Sequence, residues 1–446
     1  MTFLKTKIKW LLLCLLPMAV AVQAKTTGDS IQNSKWNLHF QNTTIYQYHP
    51  AFKADYSGLN SLSSSAESPI SITATLSLGA KLWKGASAYY NAEMGGGSGF
   101  SQARGIAGFA NGEVYRVSDA TPKIYTVRLF VKQIFALSNQ MQRVEDDVNQ
   151  LGANIPLSYI SISIGKFSIM DFLDDNKFSH DPRTQFYNWA LMGNGAWDYP
   201  ADTRGYTSGV IAELIKPQWA LRLSSVMVPT TANGAVMDKN ILHANSEALE
   251  FEHQYKIGTH RGVIRLISFF TSAGMGNYKE ALAWGIANNS APAIDSTHAV
   301  GRTKFGFGIN IEHNVNENVG LFLRSSWNDG QNETWAFTEI DRAVSLGVQL
   351  NGNFWKRNND KLGLAFLANG LSTEHRDYLK AGGYGFIIGD GNLNYQPEMI
   401  TELYYSLKVK NYPIWFSPDY QFIVNPGYNK DRGPVQAFGI RTHVEF

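Results

Sequence analysis

Apolar and polar side chains alternate with a period of two along most of this 446-residue chain, and no other feature restricts its possible folds so strongly. The pattern is cleanest at the C-terminus. There Phe446, Val444, Thr442, Ile440 and Phe438 fall on one face of a strand, and Glu445, His443, Arg441, Gly439 and Ala437 on the other. The same period recurs in Ile70, Ile72, Ala74, Leu76 and Leu78 against Ser71, Thr73, Thr75, Ser77 and Gly79. It returns in Phe305, Phe307, Ile309 and Ile311 against Lys304, Gly306, Gly308, Asn310 and Glu312. A strand with one greasy face, one polar face and an aromatic last residue suits the wall of a closed transmembrane barrel, with lipid on one side and water on the other. Helical periodicity is nearly absent, and beyond the first 24 residues no apolar run is long enough for a helical span.

The N-terminus reads as an export signal. Lys5, Lys7 and Lys9 form a basic region, residues 11–22 an apolar core, and Val22-Gln23-Ala24 a small-residue cleavage site. The expected organisation is a signal peptide over residues 1–24 and one barrel domain over residues 25–446. The single cysteine, Cys14, falls in the signal, so the exported chain has no thiol for a disulfide or for catalysis. Bulky Leu13 before that cysteine argues against a lipoprotein signal. The formal charge of +2 becomes −1 once the three signal lysines are removed, so nucleic-acid binding has no electrostatic support.

The alternation predicts sixteen strands, near residues 37–49, 70–80, 86–94, 122–137, 156–167, 205–215, 218–228, 245–257, 260–272, 301–313, 318–328, 340–351, 361–370, 396–408, 413–425 and 435–446. Connections after even-numbered strands are mostly short and those after odd-numbered strands mostly long, as tight periplasmic turns and larger external loops require. Two segments, residues 138–155 and 352–360, are long for periplasmic turns. An extra hairpin in either would raise the count to eighteen. A soluble β-sandwich also alternates, but it has no reason to keep the long-short parity or a terminal aromatic residue. The expected fold is therefore all-β: a transmembrane antiparallel barrel of about sixteen strands in the bacterial outer membrane, with long external loops and one of them folded into the lumen.

If the apolar positions face lipid, the opposite ones line the lumen, among them Arg128, Lys132, Glu250, Glu252, Lys304, Arg324, Glu402 and Arg441. Both signs of charge occur in similar number, which suits a neutral, hydrogen-bonding solute better than an ion. The longest external connection, residues 168–204, is dense in Asp, Asn, Arg, Tyr and Trp, including Asp181, Arg183, Trp189 and Trp197. Such a loop offers ring faces to the C–H faces of a sugar, and carboxylates and guanidinium groups to its hydroxyls. Other roles compete: Asp181-Pro182-Arg183 also reads as a structural turn, and Trp189 as a packing residue. Asp171, Asp174, Asp175 and Asn176 lack the spacing and closing glutamate of a calcium loop, so no metal is expected. The glycines of residues 95–99 and 105–112 lack the context of a phosphate-binding loop, and no cofactor is expected. No nucleophile-elbow motif is present and the histidines are scattered, which leaves a barrel hydrolase as the weaker alternative.

Several motifs resemble the carbohydrate-selective porins of the OprB family. They are Tyr48-His49-Pro50-Ala51-Phe52 with Tyr56-Ser57-Gly58, Leu78-Gly79-Ala80-Lys81-Leu82-Trp83 with Ala88-Tyr89-Tyr90-Asn91-Ala92-Glu93, and Gly108-Phe109-Ala110-Asn111-Gly112-Glu113. The most specific is Gly165-Lys166-Phe167 followed by Asp171-Phe172, His180-Asp181-Pro182-Arg183-Thr184 and Asn188-Trp189-Ala190-Leu191. The resemblance implies a sixteen-stranded outer-membrane barrel passing monosaccharides, glucose above all, through a constriction of arginine, acidic and aromatic groups. It places Glu93, Arg104, Asp181, Arg183 and Trp189 near that constriction. The partners implied are a carbohydrate solute and outer-membrane lipid, with the barrel a monomer or homotrimer. Other small polar solutes or oligosaccharides are the alternative cargo.

Overall fold

The computed structural model describes residues 34–114 and 121–446. The expected signal peptide, residues 1–24, lies outside them. Eighteen strands form: β1 Trp36–Tyr48, β2 Ile70–Trp83, β3 Ala86–Gly97, β4 Lys123–Ala136, β5 Met141–Val144, β6 Ala153–Pro156, β7 Tyr159–Phe167, β8 Thr207–Ile215 and β9 Trp219–Met227, then β10 Asn245–Ile257, β11 His260–Ala273, β12 Arg302–Asn314, β13 Val319–Asn328, β14 Arg342–Asn351, β15 Lys361–Gly370, β16 Glu398–Lys408, β17 Ile414–Val424 and β18 Val435–Glu445. Sixteen of them close an antiparallel barrel, while β5 and β6 pair only with each other. Residues 138–155 do hide a hairpin, but it stays out of the wall. Residues 352–360 contribute a short 3₁₀ turn, Gly352–Trp355, and no strand.

Closure follows from the terminal alternation. β18 pairs with β1 from Gln41 opposite Glu445 to Tyr48 opposite Phe438, and Phe446 continues the ladder through backbone bonds with Phe40 of 2.9 and 3.1 Å. The rings of these two residues stack at 5.9 Å on the lipid side. The parity assigned from sequence holds along the wall: Leu76, Leu78, Phe305, Phe307 and Ile440 are exposed, whereas Thr73, Thr75, Ser77, Lys304 and Arg441 are buried on the inner face. A pattern of period two sends alternate side chains to opposite faces, so one greasy set meets acyl chains and one polar set meets the lumen.

Two short helices, α1 (Tyr278–Ala287) and α2 (Thr373–Lys380), cap the external end. Neither was visible as periodicity, because each spans only two or three turns. Their starts are set by side-chain caps, Asn277 accepting from the Glu280 N–H and Ser372 from the His375 N–H. The dominant packed core lies inside the barrel. It joins wall residues such as Phe130, Phe322 and Tyr404 to the loop residues Phe178, Phe186, Trp189, Leu191, Trp197 and Tyr199.

Candidate functional site

A loop of nearly forty residues inside a barrel raises a physical problem, because its irregular backbone carries N–H and C=O groups that must find partners away from bulk water. The inward charges of the wall supply them. Glu402 accepts from the backbone N–H groups of Tyr187 and Asn188, the latter at 3.0 Å. Glu250 accepts from Asp174 N–H at 2.6 Å and Glu312 from Lys177 N–H at 2.6 Å. Arg441 donates to the carbonyls of Pro182 and Gln185, both at 2.7 Å. Arg324 donates to Leu191 C=O at 2.9 Å and pairs with the Asp174 carboxylate at 3.4 Å. Carboxylates thus cap the loop's donors and guanidinium groups its acceptors.

This placement corrects part of the sequence expectation. Glu250, Lys304, Arg324, Glu402 and Arg441 point inward but do not line open lumen, since the infolded loop and its neighbours cover each of them. Lys304 donates to Thr334 at 3.1 Å and lies 3.7 Å from Asp198. Lys132 pairs with Glu213 at 2.9 Å, and Glu252 with Arg222 and Arg265, both at 3.0 Å, in a chain of ion pairs along the wall. Asp174 and Asn176 are used up in a knot with Arg324, Asn194 and Asn310.

Beside the infolded loop lies a cavity of about 370 Å³. Glu93, Arg128, Asp181, Arg183 and Trp189, singled out from sequence, all lie on its lining, together with Glu113, Asp171, Tyr199, Tyr206 and Phe337. Arg183 is its centre. Its Nε donates to Glu113 at 2.9 and 3.0 Å, one Nη to Glu93 at 2.8 Å and the other to Thr75 at 3.2 Å. Arg128 makes a bidentate pair with Asp171, both bonds 2.7 Å. Burial works against the Arg183 charge, but Glu113 and Glu93 outweigh it and raise its pKa well above the ordinary value. Burial likewise pushes Asp181 up, yet the Arg183 charge and its backbone N–H hold that carboxyl below the usual range. Both ions therefore persist at neutral pH, and Asp181 also caps its own turn through the N–H of Arg183 at 2.9 Å. The structural-turn reading and the cavity position coexist.

Arg104 and Trp197 sit elsewhere. Arg104 borders a small void with Phe100, Ile106 and Phe109, apart from the main cavity. Trp197 is buried edge-on against Tyr199, in the core beneath the lining. Trp189 reaches the cavity, but one ring face stacks on Phe337 at 5.5 Å and its edge meets Tyr199. Glu113, Tyr206 and Phe337 were missed as site residues, because each comes from a different loop or strand end and only the infolding of residues 168–206 brings them together.

A closed sixteen-stranded barrel with a loop-narrowed, charged lumen defines an outer-membrane porin. The carbohydrate-selective porin, OprB family, matches residues 60–446, and the chain belongs to that family. Among solved structures it is similar to OprB of Pseudomonas putida at high pH, with TM-score 0.67, 14% identity, and coverage of 92% of this chain and 94% of that one. The low-pH form of the same protein aligns with TM-score 0.48 and 12% identity over 92% and 93% of the two chains. The outer-membrane channel DcaP of Acinetobacter baumannii aligns with TM-score 0.48 and 9% identity over 92% and 97%. No curated protein matches the chain. The protein is accordingly a carbohydrate-selective porin of the bacterial outer membrane, with the family and fold of a channel.

Proposed function

We propose that the channel passes monosaccharides, neutral hexoses such as glucose, by facilitated diffusion, and that its selective step takes place at the Arg183 cluster. The supporting observation is the Arg183 fork held between Glu93 and Glu113 on a cavity of about 370 Å³, near the lower end of the range of roughly 300–1,000 Å³ typical of small-ligand sites. Three of its five N–H donors are engaged in the bonds described, which leaves donor capacity for a hydroxyl. Glu93, Glu113, Asp171 and Asp181 supply acceptors, while Tyr199, Trp189 and Phe337 give an apolar side to the lining. Alternating donors, acceptors and ring edges match a hexose, which is polar around its rim and apolar on its C–H faces.

No bond is made or broken in this scheme, and the gradient alone drives flux. Binding at the eyelet must be weak enough for release, and paired charges favour this because each sugar hydroxyl competes with an existing ion pair. The scheme needs a single barrel and applies equally to a monomer and to a homotrimer. Residues 1–24 serve export and are removed. The test is single-channel conductance in planar bilayers with sugars titrated in: monosaccharides should reduce the current saturably. Current insensitive to every monosaccharide, or reduced only by longer saccharides, would overturn the cargo.

A further inference from the structure

The long connection between β4 and β7 has no role in closing the barrel, yet it does not hang free. Its tip, residues 145–152, lies against the inner face at the periplasmic end. Asn37 shares the inward parity of Gln41 and Thr43, and it is buried. Its amide donates to the Asp146 carboxylate at 2.7 Å, to Gln150 C=O at 2.9 Å and to Asp147 C=O at 3.1 Å. His39, on the same face, lies 3.4 Å from Asp146. Leu151 is buried in the core with Tyr89, whose hydroxyl accepts its N–H, and Gly152 C=O accepts from Ser34 N–H at 2.8 Å. Gly79 stands opposite Asn37 in the ladder, where a Cβ would come within 2.2 Å of the Asn37 amide oxygen. The wall is thus shaped to receive the hairpin inside the barrel.

The consequence is for the solute path. Asp147 and Val148, at the hairpin tip, line the same cavity as Arg183, on the side that also holds Gln41 and Glu445 from the periplasmic ends of β1 and β18. Counting the hairpin, the lining carries, among the described residues, three arginines, Arg128, Arg183 and Arg204, against six carboxylates. Arg128 and Arg183 are already paired with acids, and Arg204 lies 3.6 Å over the Tyr125 ring. His443 lies 3.3 Å from Glu445, and Lys177, Lys361 and Lys408 line a separate periplasmic cavity, which leaves Asp147, at the hairpin tip, as a lining carboxylate with no ion pair among the described residues.

We propose that the β5–β6 hairpin is a second selectivity element: its tip narrows the periplasmic exit, and Asp147 with Glu445 makes that exit reject anionic solutes, sugar acids and sugar phosphates included, while neutral sugars pass. This rests on the porin reading and adds to it a filter separate from the Arg183 cluster. The carboxylate of Asp147 accepts from the neighbouring Val148 N–H at 2.7 Å, and among the described residues it has no ion pair.

The experiment compares wild type, Asp147→Asn, Asp147→Lys and a chain in which residues 141–156 are replaced by two glycines, in planar bilayers under a KCl gradient. Asp147→Asn should lower the cation-to-anion permeability ratio about two-fold to five-fold, the effect of one unit charge at roughly 8 Å in water acting on both ions. Asp147→Lys should lower it further, and the shortened chain should conduct at least about twice as much current as wild type. The point variants remain decisive if the shortened chain fails to assemble. A ratio in Asp147→Asn and Asp147→Lys equal to wild type overturns the filter while leaving the porin standing. A wild type that forms no channel overturns both.

Discussion

Replacing Arg183 with alanine should weaken sugar binding at the eyelet about ten-fold. The side chain bonds Glu93, Glu113 and Thr75 together, and it does so from the cavity lining. A hydrogen bond from a charged donor is worth about 1.5–3 kcal/mol, and in a wet pore the lower end applies, which corresponds to roughly one decade in the block constant. Removing the guanidinium also leaves Glu93 buried without its main counter-charge. Breaking a buried pair costs about 3–5 kcal/mol, but water entering the vacated space should reduce this to about 2–3 kcal/mol. The barrel should therefore still assemble, conduct more current and become more cation-selective, since one positive charge leaves a lining already rich in carboxylates. Arg183→Lys retains the charge but not the planar fork, and should recover the ion selectivity without the full sugar affinity. The assay is current block by glucose titration in bilayers. A block constant unchanged in an Arg183→Ala channel that conducts normally would refute the placement of the selective step at this cluster.

Arg324→Ala should free the infolded loop from the wall, because Arg324 holds the Leu191 and Asp174 carbonyls and the Asp174 carboxylate in a fully buried setting. A loss of about 3–5 kcal/mol is expected, seen as a lower temperature for heat-induced unfolding on gels and as noisier single-channel current. Phe446→Ala should cost about 0.5–1.5 kcal/mol through the lost stack on Phe40, read from urea unfolding in lipid vesicles; an unchanged midpoint would show that the seam needs only its backbone bonds. At the external cap, the hydrogen bond to Glu333 raises the pKa of His298. A raised folded value means that this tie stabilises fully below the unfolded His value, near pH 6.5, and is lost as pH climbs through the raised one. Protection from hydrogen exchange in residues 274–301, taken relative to the intrinsic rate at each pH, should accordingly be lower at pH 9 than at pH 6, and His298→Gln should remove that difference.

The strands were legible because a barrel wall has a single local rule. All sixteen predicted segments coincide with wall strands to within about three residues, since lipid on one side and water on the other impose the period of two on every strand alike. The hairpin β5–β6 was detectable only as a connection too long for its side of the membrane. The helices α1 and α2 left no periodic trace. Charged inward positions were assigned to the correct face, but their duty was not: Glu402, Arg324 and Arg441 looked like lumen solvation and are in fact clamps on loop backbone. Nothing in their own strands specifies this, because the partner groups lie some 130 to 260 residues away.

Alternation by itself determined that the chain closes as a membrane barrel of about sixteen strands, and which side chains meet lipid, Phe446 on the last strand among them. Those are consequences of local periodicity and strand count. Only the tertiary structure decided what the lumen does. The infolding of residues 168–206 buries most of the wall charges and leaves Arg183 suspended between Glu93 and Glu113. The hairpin tip then brings Asp147 to the exit. The physical reason is that a buried, irregular backbone takes whatever donors and acceptors surround it in space, and that neighbourhood is set by barrel closure rather than by nearness in the chain.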